Sequence, residues 1–286
     1  MTIRVGDILI DRVLEMQIPF LSPTDAFPHT PVAEAIEKHR HWLEPSALCP
    51  ETGKLIIAIQ TWIIRTPQHL ILVDTCLGCD KTNHYFKDWH QRSDTRWYQA
   101  LLAKGIDPAG VDYVFCTHLH GDHCGWNTRL IDGRWVPTFP NAKYIIAKAE
   151  VDHVASENTP AWQESVLPCI ETGQVMAVDT AYTLNDQVWL EPALGHTPGH
   201  VSVNLQSKGQ RAVLCGDLIH SPLQCLYPHW EYWIDFNPQQ AVQTRKQFLE
   251  THSETNNLIL TAHFPSPSMG FVEAQEDAFR FRFLDS

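Results

Sequence analysis

The chain reads as a mixed α/β protein. Short apolar runs rich in β-branched residues recur from Ile56 to Thr261, segments with helix-capping signals stand between them, and both halves of the chain repeat that alternation. Periodicity by itself carries the reading no further than α and β mixed. The first fifty or so residues stand apart, because Pro19, Pro23, Pro28 and Pro31 crowd one stretch. Proline fixes φ and has no amide donor, so this stretch is expected to form no regular element. It is read as an irregular N-terminal extension, residues 1–50, of a single domain covering 1–286. It is either a packed surface arm, or a wall of a substrate pocket or a dimer contact, since long irregular segments in compact domains are often functional.

The regular elements follow in order. Ile56 to Arg65 and Leu70 to Asp74, separated by Thr66-Pro67-Gln68-His69, are expected to pair as a hairpin. Ser93 to Lys104 predicts a helix, with Ser93 as N-cap and Gly105 past its end. Tyr113 to Cys116 reads as a buried strand and Tyr144 to Ala147 as another, followed by a helix from Lys148. In the second half, Val188 to Leu194, Val201 to Leu205, Arg211 to Cys215 and Leu258 to Thr261 read as strands. Pro238 to Thr251 reads as a helix with proline near its start. No internal repeat or low-complexity segment is visible.

Composition removes several function classes. With 286 residues, 44% of them hydrophobic, the chain can bury a large core. Its 33 acidic residues outnumber 21 basic ones, the net charge is −12, and no basic run occurs. A protein that follows a phosphate backbone needs a stripe of lysine and arginine, so nucleic acid is not an expected partner, nor is an anionic membrane surface or a highly anionic substrate. The longest apolar run, Leu55 to Ile64, is interrupted by Gln60 and Thr61 and is too short to span a bilayer. Arg4, Asp7, Asp11 and Arg12 break up any apolar leader. Several of the eight cysteines, such as Cys116 and Cys215, lie in apolar strand-like contexts and read as reduced thiols of a cytoplasmic protein. Cys76-Leu77-Gly78-Cys79 has CxxC spacing but no second pair, and is read as a loop coincidence.

The run Thr117-His118-Leu119-His120-Gly121-Asp122-His123 carries the chemistry. It follows the apolar Val114-Phe115-Cys116, so it opens a loop at a strand's C-terminal end. Side chains at i and i+2 of an extended segment point the same way, so His118 and His120 can grip one metal ion. Asp122 and His123 follow where the chain turns and can reach a second. Neutral imidazoles and carboxylates are the ligands that zinc and similar dications take in hydrolytic sites.

His118-Leu119-His120-Gly121-Asp122-His123 resembles the HxHxDH signature of the metallo-β-lactamase superfamily, and further marks follow in order. Leu70-Ile71-Leu72-Val73-Asp74 resembles the family strand with a terminal aspartate. Gly-His-Thr-Pro-Gly-His ends at His200, Cys-Gly-Asp ends at Asp217, and Leu258 to Ala262 leads to His263. The resemblance spans about Gly53 to His263 and implies a four-layer αβ/βα sandwich. It also implies a ligand set: His118, His120 and His200 on one metal, Asp122, His123 and His263 on the second, and Asp217 bridging. The match is made to the histidine after Pro-Gly, so His196 is expected to support rather than to bind. Two divalent ions, expected to be zinc, would repel each other, and a bridging carboxylate offsets that repulsion.

The implied activity is that of a dinuclear hydrolase, with a metal-bridged hydroxide attacking an ester, a lactone or a phosphotriester of a small, largely uncharged substrate. Asp122, Asp217 and His220 are the expected catalytic residues. An aspartate at position 217, where β-lactamases of the main class place a cysteine, resembles the lactonase and methyl-parathion-hydrolase-like branches. His220 stands where quorum-quenching lactonases tend to carry a tyrosine; that departure counts against an acyl-homoserine-lactone substrate and resembles the methyl-parathion-hydrolase-like branch, and His220 is expected to face the substrate. An iron-dependent oxidoreductase of the persulfide-dioxygenase type and a glyoxalase II-like thioesterase are the alternatives. Intact Asp122, His123 and His263 count against a single iron, and the absence of a basic patch counts against a glutathione thioester. Tyr227, His229, Trp230, Tyr232 and Trp233, together with Trp126, are expected to line an apolar substrate pocket.

Overall fold

The computed structural model describes residues 2–284 and arranges the chain as two seven-stranded sheets. The first takes β1 (Ile3–Val5), β2 (Ile8–Pro19), β3 (Ile56–Arg65), β4 (Leu70–Val73) and β5 (Tyr113–Phe115). A separate hairpin follows, β6 (Thr128–Ile131) with β7 (Arg134–Pro137), and then β8 (Lys143–Ala147) and β9 (Val175–Val178) complete the sheet. The second sheet runs in simple chain order through β10 (Tyr182–Thr183), β11 (Val188–Pro192), β12 (Val201–Ser207), β13 (Gln210–Leu214), β14 (Leu258–Leu260), β15 (Met269–Gln275) and β16 (Ala278–Phe283).

Strand periodicity explains the layering. Along β3, Ile57, Ile59 and Ile63 join a core on one face of the first sheet, while Trp62 and Ile64 join a second core on the other face. That second core lies between the sheets and includes Val203, Leu205, Leu214 and Leu260. Val213, Cys215 and Ile259 point the opposite way, into a core beyond the second sheet. Both sheets are therefore buried on both faces, which is why β3, β4 and β14 read as nearly continuous apolar runs rather than as alternations.

Helices cover the outer faces. α1 (Pro23–Ala26) and α2 (Val32–Leu43) lie in the N-terminal region; α3 (Arg96–Ala103), α4 (Gly121–Cys124), α5 (Lys148–Glu157) and α6 (Leu167–Glu171) follow in the first half, and α7 (Leu223–Leu226) and α8 (Pro238–His252) in the second. Trp97 and Leu101 of α3 and Val154 of α5 close the core outside the first sheet; Leu249 of α8 closes the core outside the second. The result is a four-layer αβ/βα sandwich. No helix among the described residues is long and apolar enough to cross a membrane. All eight cysteines are free, and Cys76 and Cys79 make no bond to each other.

The expected irregular extension over residues 1–50 is corrected. β1 and β2 form one border of the first sheet, and β2 pairs with β3 along its length, ending at Pro19 opposite Ile56. The prolines sit where the missing N–H costs least: Pro19 at a strand end, Pro23 at the first position of α1, Pro31 just before α2. Ile8 and Ile10 bury on one face of β2 and Val13 on the other, and that burial outweighs the prolines that follow. A second difference lies beyond His263, where β15 and β16 pair and finish the second sheet.

Candidate metal centre

The parallel strand pairs build the site. β4 pairs parallel with β5 and β13 with β14, so four strands deliver their carboxyl ends to one edge of the sandwich. Asp74 follows β4, the Thr117–His123 run follows β5, Asp217 follows β13, and His263 follows β14. Crevices outside the carboxyl ends of parallel strands are where loops from several elements can converge.

Two donor groups result. In the first, ligand-capable atoms of His118, His120, His196 and Asp217 all lie within 4.8 Å of one another; Asp122, His123 and His263 make the second. His118 Nε2 and His196 Nε2 lie 3.0 and 3.1 Å from His120 Nδ1. In the second group His123 Nε2 lies 3.2 Å from His263 Nε2, and both stand 3.6–3.7 Å from Asp122 Oδ2. A tetrahedral zinc with bonds of about 2.0–2.1 Å holds its ligands roughly 3.3–3.4 Å apart, so both groups suit one such ion. Asp217 spans them. Its Oδ2 lies 3.4 Å from His196 Nε2 and 3.7 Å from His118 Nε2; its Oδ1 lies 3.1–3.2 Å from His263 and His123 Nε2. Oδ1 is buried and has no hydrogen-bond partner, as an oxygen reserved for a cation should be.

The electrostatics fit a cation as well. Burial pushes His118 and His120 well below the ordinary histidine range, which keeps them neutral and able to ligate. Burial also opposes charge on His196, but the hydrogen bonds to Asp217 and Asp235 outweigh it and push this imidazole up to about 9. Asp217 thus demands positive charge beside it, and dications would supply that charge in place of protons.

Each donor is held from behind. His123 Nδ1 donates to Asp74 Oδ2 at 2.9 Å, and Asp74 also accepts from the Thr117 amide and hydroxyl. His263 Nδ1 donates to the Ala58 carbonyl of β3, and His196 Nδ1 donates to Asp235 Oδ1, both at 2.9 Å. Asp235 is itself 3.6 Å from Arg245 Nη2, whose guanidinium donates to the carbonyls of Leu218, Pro228 and Trp230. A fully buried arginine of α8 therefore staples the loop that follows Asp217.

The expectation for His200 and His196 is reversed. The donor cluster contains His196. His200 instead donates from Nδ1 to the Ala193 carbonyl at 3.0 Å and accepts at Nε2 from the Asp217 amide at 2.9 Å. Both its nitrogens are occupied by backbone, and burial pushes its pKa down to about 3. Its role is to hold the backbone of Asp217. Gly216 makes room for this: its φ is +53°, and a Cβ there would stand 2.5 Å from His200 Nε2.

The structure brings His118, His120, Asp122, His123, Asp217, His263 and His220 together. His220 Nε2 lies 3.1 Å from Asp217 Oδ2, its Nδ1 is buried without a partner, and its ring stacks on Tyr232 at 3.6 Å. The aromatic expectation divides. Tyr232 and Trp233 line the pocket over the donors, whereas Tyr227, His229 and Trp230 line a separate groove beside α2. Trp126 is core: it stacks on Trp97 at 5.0 Å and donates to Glu15. Phe20, Phe86, Trp89, Asn83 and Asp235 were not singled out by sequence, because nothing local marks them; they reach the site through long-range packing. Phe20 belongs to the N-terminal region and stacks on Trp89 at 4.8 Å, so that region does supply a pocket wall.

Comparison with known proteins gives the family. An N-acyl homoserine lactonase of Bacillus thuringiensis is 23% identical over 234 residues, 76% of this chain and 85% of that protein. The N-acyl homoserine lactonase AttM of Agrobacterium fabrum is 26% identical over 196 residues, 62% of this chain and 66% of its own. Two solved structures share the fold over 100% of this chain and 97% of theirs: AbOPH, a hydrolase of the beta-lactamase superfamily (TM-score 0.82, 23% identity), and AidC, a dizinc quorum-quenching lactonase (TM-score 0.83, 22% identity). The model of the metallo-β-lactamase superfamily matches residues 57–252, well over half the chain and the stretch that carries every donor but His263. The chain belongs to the metallo-β-lactamase superfamily.

Proposed function

We propose that the protein is a dinuclear metal-dependent hydrolase that opens lactones and cleaves small uncharged esters. One observation carries this reading: the Asp217 carboxylate lies between the two donor groups, with Oδ1 3.1–3.2 Å from His263 and His123 and Oδ2 3.4 Å from His196 and 3.2 Å from His263. His118, His120, His196 and Asp217 would hold one dication, and Asp122, His123, His263 and Asp217 the other, with zinc favoured by the imidazole-rich set. Bound there, two dications would acidify a shared water and polarise a carbonyl oxygen.

The chain's own residues supply the rest. Asp217 holds the two groups together. Asp122 lines the cleft and is placed to take a proton from the attacking water and return it to the leaving oxygen. His220 stands against the pocket at Asp217 and is placed to donate to the developing oxyanion or the leaving oxygen. Phe20, Phe86, Trp89 and Trp233 form an apolar wall over the donors, suited to an alkyl or aryl arm.

Charge selects among the family's chemistries. No lysine or arginine lines the pocket over the donors or the depression beside it. A glutathione thioester or another carboxylate-bearing substrate would find no lysine or arginine to pair its carboxylates, which counts against the glyoxalase II-like alternative. The second donor group argues against a single-iron oxidoreductase. The names of the relatives, N-acyl homoserine lactonases, point the same way toward lactone rings with an apolar arm.

The test is metal analysis of protein purified without added metal, followed by turnover of aryl esters, lactones and phosphotriesters. About two metal ions per chain and hydrolysis of uncharged esters or lactones are expected. Asp217→Asn should remain folded by circular dichroism and lose most turnover. Near-normal turnover in that variant, or one metal per chain in the wild type, would overturn the dinuclear reading.

A further inference from the structure

The donor cluster floors two depressions. One is the aromatic pocket. The second, about 300 Å³, opens between α5 and the loop that ends at Phe236. Both are reached over His120 and Gly121, and Tyr85 and Ile234 line both, forming the ridge between them. The aromatic pocket meets both donor groups, through His120, Asp122, Asp217 and His263; the second depression meets the first group alone, through His120 and His196. A scissile bond held over the donors would therefore have space on two sides.

The two spaces differ in chemistry. Aromatic rings wall the first. The second sets His84, His153, Glu157, Thr159 and Thr197 among apolar neighbours that include Val154, Pro160, Ala161 and Phe236. Thr197 is 3% exposed, and its hydroxyl is buried with no hydrogen-bond partner. Orphaned buried hydroxyls are uncommon because each forfeits a hydrogen bond that water would have given it. This one lines a depression next to a proposed metal ligand, where a substrate's polar atom could satisfy it. At the rim, Glu157 lies 3.8 Å from His153, and Phe236, 61% exposed, packs against the same imidazole at 5.2 Å. Glu150, the other acid present, is already committed: its carboxylate accepts from the amides of Leu119 and Gly199. No lysine or arginine lines the depression.

We propose that this second depression is a subsite for a hydrogen-bonding arm of the substrate that is uncharged or cationic. The enzyme then takes two-armed esters or lactones, with an apolar arm among Phe20, Phe86 and Trp233 and a polar arm between α5 and Phe236. This rests on the hydrolase reading above and extends it. An anionic arm is disfavoured at the rim, since it would meet Glu157 there with no lysine or arginine to offset it.

Esters with one common hexyl arm test this, the other arm ending in an ammonium, a hydroxyl, a methyl or a carboxylate group. Wild-type kcat/KM should be higher for the ammonium and hydroxyl arms than for the carboxylate arm. Glu157→Lys should lower the ammonium-to-carboxylate ratio by about fivefold to tenfold, and that change should shrink at high salt, because the rim is solvated. Thr197→Val should lower the hydroxyl-to-methyl ratio about fivefold at any salt concentration, the loss of one buried hydrogen bond. Circular dichroism checks that this buried variant folds; should it not fold, the rim variant Glu157→Lys decides. Ratios unmoved by Glu157→Lys, in an enzyme whose turnover of the hexyl arm still responds to Trp233→Ala, would place the polar arm elsewhere and overturn the subsite. A metal-loaded enzyme that hydrolyses none of these esters and no lactone would overturn the hydrolase reading itself, and the subsite with it.

Discussion

Replacing His196 and His200 one at a time should separate a metal-binding histidine from a backbone-holding one. His196 Nε2 lies 3.1 Å from His120 Nδ1 and 3.4 Å from Asp217 Oδ2, so His196→Ala leaves its group with two imidazoles and a shared carboxylate. Losing a residue that merely orients a ligand weakens metal binding about 10–100-fold, so losing the ligand itself should cost at least about 100-fold, or ~2.7 kcal/mol. His200→Leu removes no proposed donor. It strands the Asp217 amide and the Ala193 carbonyl, both buried, at about 1–3 kcal/mol for each. A combined loss of about 2–6 kcal/mol corresponds to a Tm lower by roughly 3–10 °C in a chain of this size. Elemental analysis after equilibration against graded chelator should find about one metal per chain in His196→Ala and about two in His200→Leu. Calorimetry of the metal-stripped proteins should find the larger Tm drop in His200→Leu. The reverse pattern, with two metals in His196→Ala and one in His200→Leu, would refute the argument from donor geometry.

Three further outcomes follow from the same geometry. Asp235→Asn should weaken binding at one of the two metal positions about 10–100-fold in a chelator competition while leaving two metals bound at saturation; unchanged affinity would mean that the His196–Asp235 bond does not orient the imidazole. His220→Ala should lower kcat roughly 10- to 1000-fold with metal content unchanged, and a variant that loses metal as well would make His220 a support of Asp217 rather than a substrate-facing group. Glu15, raised to about 7 by burial against the opposing bonds from the Leu77 amide and Trp126 Nε1, should make stability depend on pH. Its folded pKa lies above its unfolded value near 4.5, so the folded state binds more protons between the two. The contribution is complete below about 4.5 and is lost as pH rises through about 7. Denaturation midpoints of wild type and Glu15→Gln should therefore diverge, the wild type losing up to about 3 kcal/mol relative to the variant over that window; parallel curves would show that Glu15 does not titrate there.

Much of the site was legible in residue order. Spacing decided that His118, His120, Asp122 and His123 would share a loop, because a strand's i, i+2 geometry and the turn after it are local properties. Asp217 and His263 could be placed because each ends an apolar run, and such runs deliver their last residues to a strand's carboxyl end. The N-terminal region misled because a proline was weighed as a breaker regardless of position, whereas proline at a strand end or a helix start costs little. β15 and β16 were legible and went unread: Phe279, Phe281 and Phe283 alternate with Arg280 and Arg282 in the period of a strand.

The sequence by itself determined the fold class, the strands that end in chemistry, and six of the residues that converge at the centre. Only the tertiary structure decided between His196 and His200, four residues apart in one Gly-His-Thr-Pro-Gly-His stretch. A histidine ligates by where its lone pair points, and that direction is set by contacts distant in sequence. The turn at Gly195 has a φ of +126° and packs so closely on α8 that a Cβ would stand 2.2 Å from the Ala241 amide nitrogen. Its carbonyl, and that of His196, accept from Asn237 and Phe236, and Asp235 then orients the imidazole. His200, at the start of β12, is drawn to the backbone of Asp217 instead. Those partners are 17 to 46 positions away along the chain, beyond what any local pattern reports.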